Sequence, residues 1–374
     1  MPFLSTAKFP NSHVIATLGL LILVEEAYLM YKVIVQPSGH TFNAEEQENL
    51  LDAGLRQGIA LPYSCRSGSC GSCMVTLKQG SVDYPQGEPL ALSPYDMEQG
   101  RALLCQAIAL TDLEIDCPQV GELADIEVKT LPVRVEKLRK LNNDVMEMTL
   151  KLPATERLRF MAGQYIDLLL RDGKRRSFSI ANAPLGENFL ELHIRHVPNG
   201  HFTSHVFTDM KEKALMRMQG PLGSFYIREL THPVILVGGG TGFAPLKSMM
   251  EYLKLKGFDQ NVYLYWGVRS KEDLYMDYLP RDWMNRYPQF KYIPVLSEPK
   301  PEDNWQGRSG WVHEAVVNDF PDLTGYQVYM SGPPPMIITG REAFLARGLH
   351  SENLYSDSFD YSPDTLKSLA EQQV

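Results

Sequence analysis

Cys65, Cys70, Cys73 and Cys105 are the residues whose type and spacing speak most directly of chemistry. They read Cys65-x4-Cys70-x2-Cys73, with Cys105 after a further thirty-one residues. This is the plant-type ligand spacing of a [2Fe–2S] cluster, a one-electron carrier with a potential of about −400 mV. The loop Cys65-Arg66-Ser67-Gly68-Ser69-Cys70-Gly71-Ser72-Cys73 is made largely of small residues. Thiolates must converge on two irons there, and backbone N–H groups must approach the sulfurs. Gly68 and Gly71 permit the left-handed turns this needs. Four cysteines can also hold zinc. Zinc ribbons, however, use two C-x2-C knuckles and this chain has one, so the cluster is the expected occupant.

The elements that position these cysteines fall into three parts of a 374-residue chain. Residues 31–120 carry the cysteines, with an alternating strand at 31–35, a turn at Pro37-Ser38-Gly39 and a helix near 49–57. Residues 118–130 read as a linker. Across 131–230 apolar residues recur at the strand period: Val133 and Val135, then Met146, Met148 and Leu150, then Ile166, Leu168 and Leu170. From 231 to 374 the pattern changes to apolar strands at 234–237, 262–266, 292–296 and 328–330, separated by helical stretches. The expected fold is therefore an α+β ferredoxin-like β-grasp domain, an antiparallel β-barrel, and an α/β domain with a parallel sheet.

The net charge of −9 and a pI near 5.5 argue against nucleic acid or an anionic membrane as partners. That acidity serves solubility, and could also steer a basic protein. Four of five cysteines fit the cluster pattern, which argues against a secreted disulfide framework and for a cytoplasmic location. Cys117 closes an alternating segment and reads as a packed core thiol. The apolar run 14–24 is too short to span a bilayer and no A-x-A site follows it. Residues 1–30 read as an extension that need not be native, with translation expected from Met30. Tyr31 opens the first regular strand, and Glu25-Glu26 can be encoded as a purine-rich ribosome-binding tract. A natively expressed peptide crossing residues 29 and 30 would refute this.

A glycine-rich segment marks a nucleotide site. Gly238, Gly239, Gly240, Thr241 and Gly242 follow an apolar strand and lead into a helical stretch at 246–254. Glycines let the backbone approach a pyrophosphate, and a helix N-terminus favours its charge. Pro245 stands where the standard dinucleotide fingerprint has Gly or Ala, but proline is tolerated in a first helical turn.

Further segments occur in a fixed order: Arg176-Ser177-Phe178-Ser179, Asn199-Gly200-His201-Phe202-Thr203-Ser204, Gly220-Pro221-Leu222-Gly223-Ser224-Phe225 and Met330-Ser331-Gly332-Pro333-Pro334-Pro335-Met336. In this order they resemble the ferredoxin–NADP reductase superfamily, over residues 31 to about 362. The resemblance implies FAD held by Arg176, Ser177, Phe178 and Ser179. Arg176 would pair with its phosphate, Phe178 would stack on the isoalloxazine, and Ser179 would sit near N5. It places Gly200 and Thr203 near the pyrophosphate and the 220–225 turn between two domains. Proline at 245 is a variant of that superfamily. Arg269, in the 265–275 segment, should meet the adenosine ribose. Ser331, Gly332 and Pro333 resemble a Cys-Gly-Pro-Pro nicotinamide motif with serine for cysteine. Phe359 either covers the other flavin face or packs as a core aromatic, so the implied hydride-transfer region is Ser179, Ser331 and Phe359.

The implied activity is an NAD(P)H oxidoreductase. Hydride passes from NAD(P)H to FAD, and single electrons pass from there to the cluster and on to a partner. No general acid, triad or mononuclear metal site is expected. Glu272 and Asp273 favour a free ribose 2′-hydroxyl whereas Arg269 and Lys271 favour a 2′-phosphate; NADH is the expected donor. Segments 31–40, 265–269 and 356–359 resemble CDP-6-deoxy-Δ3,4-glucoseen reductases, whose partner is a sugar 3-dehydrase. The alternatives are the reductase component of a ring-hydroxylating or alkane oxygenase, and a reductase releasing free reduced flavin. The partner is expected to dock near the loop 66–72.

Overall fold

The computed structural model describes residues 16–17, 20–21 and 29–360, apart from 119, 120, 122, 186 and 187. The question of a start at Met30 turns largely on residues outside these, and the chain beyond 360 also lies outside them.

The cysteine-bearing unit is a five-stranded mixed sheet in the order His40–Glu45, Met30–Gln36, Leu113–Asp116, Met74–Gln79, Arg101–Leu103. Met30–Gln36 and Leu113–Asp116 run parallel, and the other pairs are antiparallel. The helix Leu50–Arg56 packs on it through Leu50, Leu51 and Ala53, all fully buried. Asn49 caps this helix by accepting from the Asp52 N–H at 2.9 Å. The first amides of the helix donate to the carbonyls of Ala107 and Leu104, which flank Cys105. The helix thereby fixes the segment that carries the fourth cysteine.

The second sheet has six antiparallel strands in the order Arg175–Ser179, Tyr165–Leu169, Leu215–Leu222, Lys129–Lys140, Val145–Lys151, Phe189–Arg195. A bridge between Ile180 and Leu192 ties its two outer strands, so the sheet closes into the expected barrel. Val133, Val135, Met146, Met148, Leu150, Ile166 and Leu168 fill the interior, and Leu170 packs against it partly exposed. The first strand starts at Lys129, inside the stretch read as linker. Gly121, also in that stretch, donates back to the Ala60 carbonyl at 2.9 Å.

The third sheet is wholly parallel, in the order Arg308–Ser309, Phe290–Leu296, Val262–Val268, Val234–Gly239, Gln327–Gly332, Leu354–Ser358. The strand order reverses between Val234–Gly239 and Gln327–Gly332. Open α/β sheets bind ligands outside the carboxyl ends of strands at such a point. The strands Arg308–Ser309 and Leu354–Ser358 carry too weak an apolar signal to be read from sequence.

Barrel and parallel sheet meet through a buried ionic network. Lys247, on the helix Phe243–Lys256, reaches Glu191 at 3.1 Å and Glu251 at 2.9 Å, and donates to the Ala181 carbonyl. His193, on the barrel strand, lies 2.8 Å from Glu191 and 3.0 Å from the Tyr275 hydroxyl. Burial pushes the Glu191 carboxyl up, but the His193 hydrogen bond and the Lys247 charge outweigh it and hold the group at about 2. A carboxyl lowered from 4.5 to about 2 stabilises the fold fully above pH 4.5, and that stabilisation is lost as pH falls toward 2. The loss amounts to about 3 kcal/mol. Melting temperature should therefore fall across that window, and less steeply in Glu191→Gln; an unchanged slope in the variant would sink the assignment.

Candidate functional site

The cysteine loop is built by three left-handed residues, Arg66, Gly68 and Gly71, with φ of 60°, 79° and 80°. Gly68 is pressed against Pro89, whose Cβ would lie 2.8 Å from an added Cβ, and the Ala91 N–H bonds the Gly68 carbonyl. Cys70, Cys73 and Cys105 are buried and Cys65 is half-buried; all four are free thiols. The thiols act on one another in two pairs, Cys65 with Cys70 and Cys73 with Cys105. The neighbouring Cys70 thiol holds Cys65 well below its ordinary value, and Cys73 lowers Cys105. The Ser72 N–H donates to the Cys70 sulfur at 3.4 Å and the Ser69 hydroxyl to the Cys65 sulfur at 3.6 Å.

Among the described residues, no group of three or more His, Cys, Asp or Glu side chains is placed to hold a single metal ion. Four free thiols, with an N–H and a hydroxyl donor aimed at two of the sulfurs, would suit a two-iron cluster better than one tetrahedral zinc. The residues present therefore fit the cluster.

Arg176, Ser177, Phe178 and Ser179 lie along the outer barrel strand Arg175–Ser179. The half-buried Phe178 ring stands 5.8 Å from Phe202, on the helix His201–Thr208 that Gly200 opens. That contact brings the flavin-motif strand beside the Gly200–Thr203 segment. The Thr203 hydroxyl is engaged within its own loop, bonding the N–H of Val197 and the carbonyls of Val197 and Gly200. It shapes the turn, leaving the first amides of the helix to face an anion. Ser177 donates to the buried Asp167 at 2.6 Å, a partner the sequence reading missed.

Gly238 and Gly239 end the central parallel strand, and Gly240–Gly242 turns into the helix Phe243–Lys256, with Pro245 in its first turn. The helix begins three residues earlier than the expected 246. The turn interlocks with Ser331, Gly332 and Pro333 at the end of the neighbouring strand. A Cβ on Gly242 would lie 2.0 Å from the Ser331 carbonyl oxygen, and one on Gly239 would lie 2.9 Å from Pro333 Cδ. Phe359 follows the outermost strand, and its N–H donates to the Gly332 carbonyl at 2.9 Å. Arg195, from the barrel, lies against Gly240 and is held between two carboxylates, Asp144 at 3.4 Å from its Nε and Asp273 at 3.9 Å from its Nη2.

Arg269 is exposed at the end of the strand Val262–Val268. The expectation that Asp273 selects a ribose hydroxyl is corrected: its carboxylate is buried and accepts from the N–H and hydroxyl of Ser270. Glu272 is paired with Lys300 at 3.1 Å, and Lys271 donates to the Asp303 carbonyl.

The three units converge on Asp357. Its carboxyl accepts from the Ser64 hydroxyl at 2.6 Å, next to Cys65, and Ser179 of the flavin-motif strand stands beside it. In the parallel sheet it lies opposite Ser331. Asp357 is 4% exposed, and burial pushes its carboxyl up to about 7. Nothing in its local pattern singles it out beyond its place in a serine-rich string. The contact brings the Ser179, Ser331 and Phe359 segments to within a residue or two of a single carboxyl, beside the cysteine loop.

That loop is not the open surface expected. Ser69 and Ser67 bond Asp360, Ser72 bonds the Ser356 carbonyl at 2.6 Å, and Gly68 to Cys70 are buried. The Tyr165 hydroxyl donates to the Ser64 carbonyl, and the 220–225 segment reaches the loop as well, the Ser224 N–H donating to the Tyr63 carbonyl at 2.6 Å. Most of the loop therefore faces inward, toward the flavin motif.

Residues 33–110 match the 2Fe-2S iron-sulfur cluster binding domain, 132–227 the oxidoreductase FAD-binding domain and 236–341 the oxidoreductase NAD-binding domain. The chain is 39% identical to the CDP-6-deoxy-L-threo-D-glycero-4-hexulose-3-dehydrase reductase of Yersinia pestis, over 87% of this chain and 98% of that protein. It is 33% identical to the terephthalate 1,2-dioxygenase reductase component 1 of a Comamonas species, over 89% and 98%. The crystal structure of an Amycolatopsis cytochrome P450 reductase superposes with a TM-score of 0.69 at 32% identity, covering 88% of this chain and 98% of that one. With a [2Fe–2S] domain preceding FAD- and NAD-binding domains, and full-length relatives above 30% identity, the chain belongs to the ferredoxin–NADP reductase superfamily, as an NAD(P)H oxidoreductase that carries electrons through FAD and a [2Fe–2S] cluster.

Proposed function

We propose that this chain is the reductase of a CDP-sugar 3-dehydrase system, taking electrons from NADH in the cytoplasm and delivering them singly to the dehydrase. The observation that carries the acceptor is the 39% identity over 98% of the Yersinia pestis reductase, against 33% for the terephthalate dioxygenase component. The oxygenase relatives make a ring-hydroxylating or monooxygenase partner the second reading. Release of free flavin is disfavoured by the inward-facing cysteine loop, which is tied to the flavin-motif strand through Asp357. Free thiols and a nicotinamide donor both fit a reducing compartment. No helix among the described residues is long and apolar enough to cross a membrane.

In this reading Cys65, Cys70, Cys73 and Cys105 hold the cluster. Arg176, Ser177, Phe178, Ser179, Gly200 and Thr203 hold FAD. Gly238, Gly239, Gly240, Thr241, Gly242, Pro245, Arg269, Gly332 and Pro333 bind the nicotinamide nucleotide. Bound FAD supplies the exchange of a two-electron donor for one-electron steps. The protein's own part is placement. The glycine turn brings the nicotinamide strand ends against the barrel, and Asp357, bonded to Ser64 and beside Ser179, links the flavin-motif strand to the cysteine loop. Arg66 and Leu90, exposed at the loop's outer edge, remain accessible to the acceptor.

The test is electron delivery by the loaded protein, with NADH and NADPH in parallel. A CDP-hexulose 3-dehydrase should turn over with NADH as the better donor, and pull-down from the native cell should recover it. Recovery of an oxygenase component, with no dehydrase turnover, would sink the proposed acceptor; equal kcat/KM for the two donors would sink the NADH preference.

A further inference from the structure

We infer that Arg341, on the nicotinamide side of the molecule, sets the reduction potential of the cluster, so that the unit that holds the hydride donor also tunes the centre that emits single electrons. The inference rests on the electron-transfer reading above. Arg341 lies on the helix Pro334–Leu345, which starts directly after the Ser331-Gly332-Pro333 turn. Two turns further along, its side chain enters the cysteine-bearing unit and is only 13% exposed. Its Nη1 would stand 3.2 Å from a Cβ on Gly71, between Cys70 and Cys73. Its Nη2 lies 3.5 Å from the Met74 sulfur and 3.4 Å from Asp96 Oδ1.

Asp96 does not cancel this charge by itself. Its Oδ1 also accepts from Arg101 at 2.9 Å, and its Oδ2 is taken by the N–H and hydroxyl of Ser93. Two guanidinium groups share one carboxylate, which leaves a net positive charge beside the cysteine loop. A guanidinium remains protonated under such burial. Charges in a poorly hydrated site are weakly screened. One electron added to the centre increases its negative charge by one, and a nearby cation favours that state. Arg341 is therefore a positioning and electrostatic residue; its effect is exerted through charge and not through contact with a substrate.

The test is an equilibrium redox titration of the cluster, followed by electron paramagnetic resonance in the loaded full-length protein. Arg341→Gln should shift the reduced-to-oxidised ratio at fixed potential roughly tenfold toward the oxidised form, a fall of about 59 mV for a one-electron couple. Arg341→Lys, which keeps the charge, should stay near the wild-type value. Asp96→Asn removes the opposing charge and should move the potential upward. That reversal of sign separates electrostatics from loosened packing, which would shift both variants in the same direction. Equal shifts in Arg341→Gln and Arg341→Lys, or shifts of one sign in the Gln and Asn variants, would overturn the inference while leaving the electron-transfer reading intact. Absence of any reducible paramagnetic centre in the wild-type protein would overturn both.

Discussion

Cys70→Ser should abolish one-electron delivery while sparing hydride oxidation. The Cys70 residue is 3% exposed and its sulfur receives the Ser72 N–H, and in the proposed reading it is one of the four cluster ligands. A serine hydroxyl is a much poorer ligand for iron at neutral pH than a thiolate. Changes to groups that only support a metal ligand already cost 10–100-fold, so loss of a ligand should reduce cytochrome c reduction by at least about 100-fold. Ferricyanide is small enough to take electrons from the flavin half, and the barrel and parallel sheet do not depend on the cysteine loop for their cores. NADH-driven ferricyanide reduction should therefore stay within about twofold of wild type, since the mutated side chain lies outside the nucleotide sites. Both activities persisting unchanged would show that electrons bypass the cluster.

Gly242→Ala should strike the other end of the electron path. The conformation of Gly242 is helical, with φ of −58°, so backbone strain is not the issue. The obstacle is space. The new Cβ would fall 2.0 Å from the Ser331 carbonyl oxygen and 3.0 Å from the Gly332 nitrogen, both backbone atoms of the adjacent central strand. Neither can rotate away as a side chain can, so the glycine turn and the Ser331-Gly332-Pro333 turn must separate. Overpacking of this kind costs about 3 kcal/mol. A displacement of about 1 Å in a reacting geometry costs roughly 100-fold in rate, which is the expected fall in kcat/KM for NADH oxidation. The cluster should still be reducible by dithionite, because the cysteine loop has its own supports in Pro89, Ala91 and Leu104. Unaltered NADH kinetics together with an unaltered melting temperature would falsify the interlock.

Sequence legibility follows the range over which each feature is encoded. The cluster spacing and the glycine turn are local patterns, each contained in a few dozen consecutive residues. The order β-grasp, barrel, parallel sheet follows from reading such patterns one after another, and the three matched families follow the same order. The barrel positions from Val133 to Leu168 were readable because a period of two marks a half-buried strand whatever it packs against. The strands Arg308–Ser309 and Leu354–Ser358 were not, since one is two residues long and exposed and the other is rich in serine.

What the sequence by itself determined is the cofactor chemistry. Thiolate ligation and phosphate binding demand particular residues at fixed short spacing, so Cys65 to Cys73 and Gly238 to Gly242 announce themselves. Only the tertiary structure decided which way the cysteine loop faces. Ser64 meets Asp357 across 293 positions, Ser72 meets Ser356 across 284, and Arg341 meets Asp96 across 245. Serine, aspartate and arginine are common surface residues, and nothing in their local pattern foretells a partner so far away. Burial at the junction gives them their meaning. It turns a serine-rich string into the wall between flavin motif and cluster loop, and it makes one arginine a charge that the loop cannot avoid.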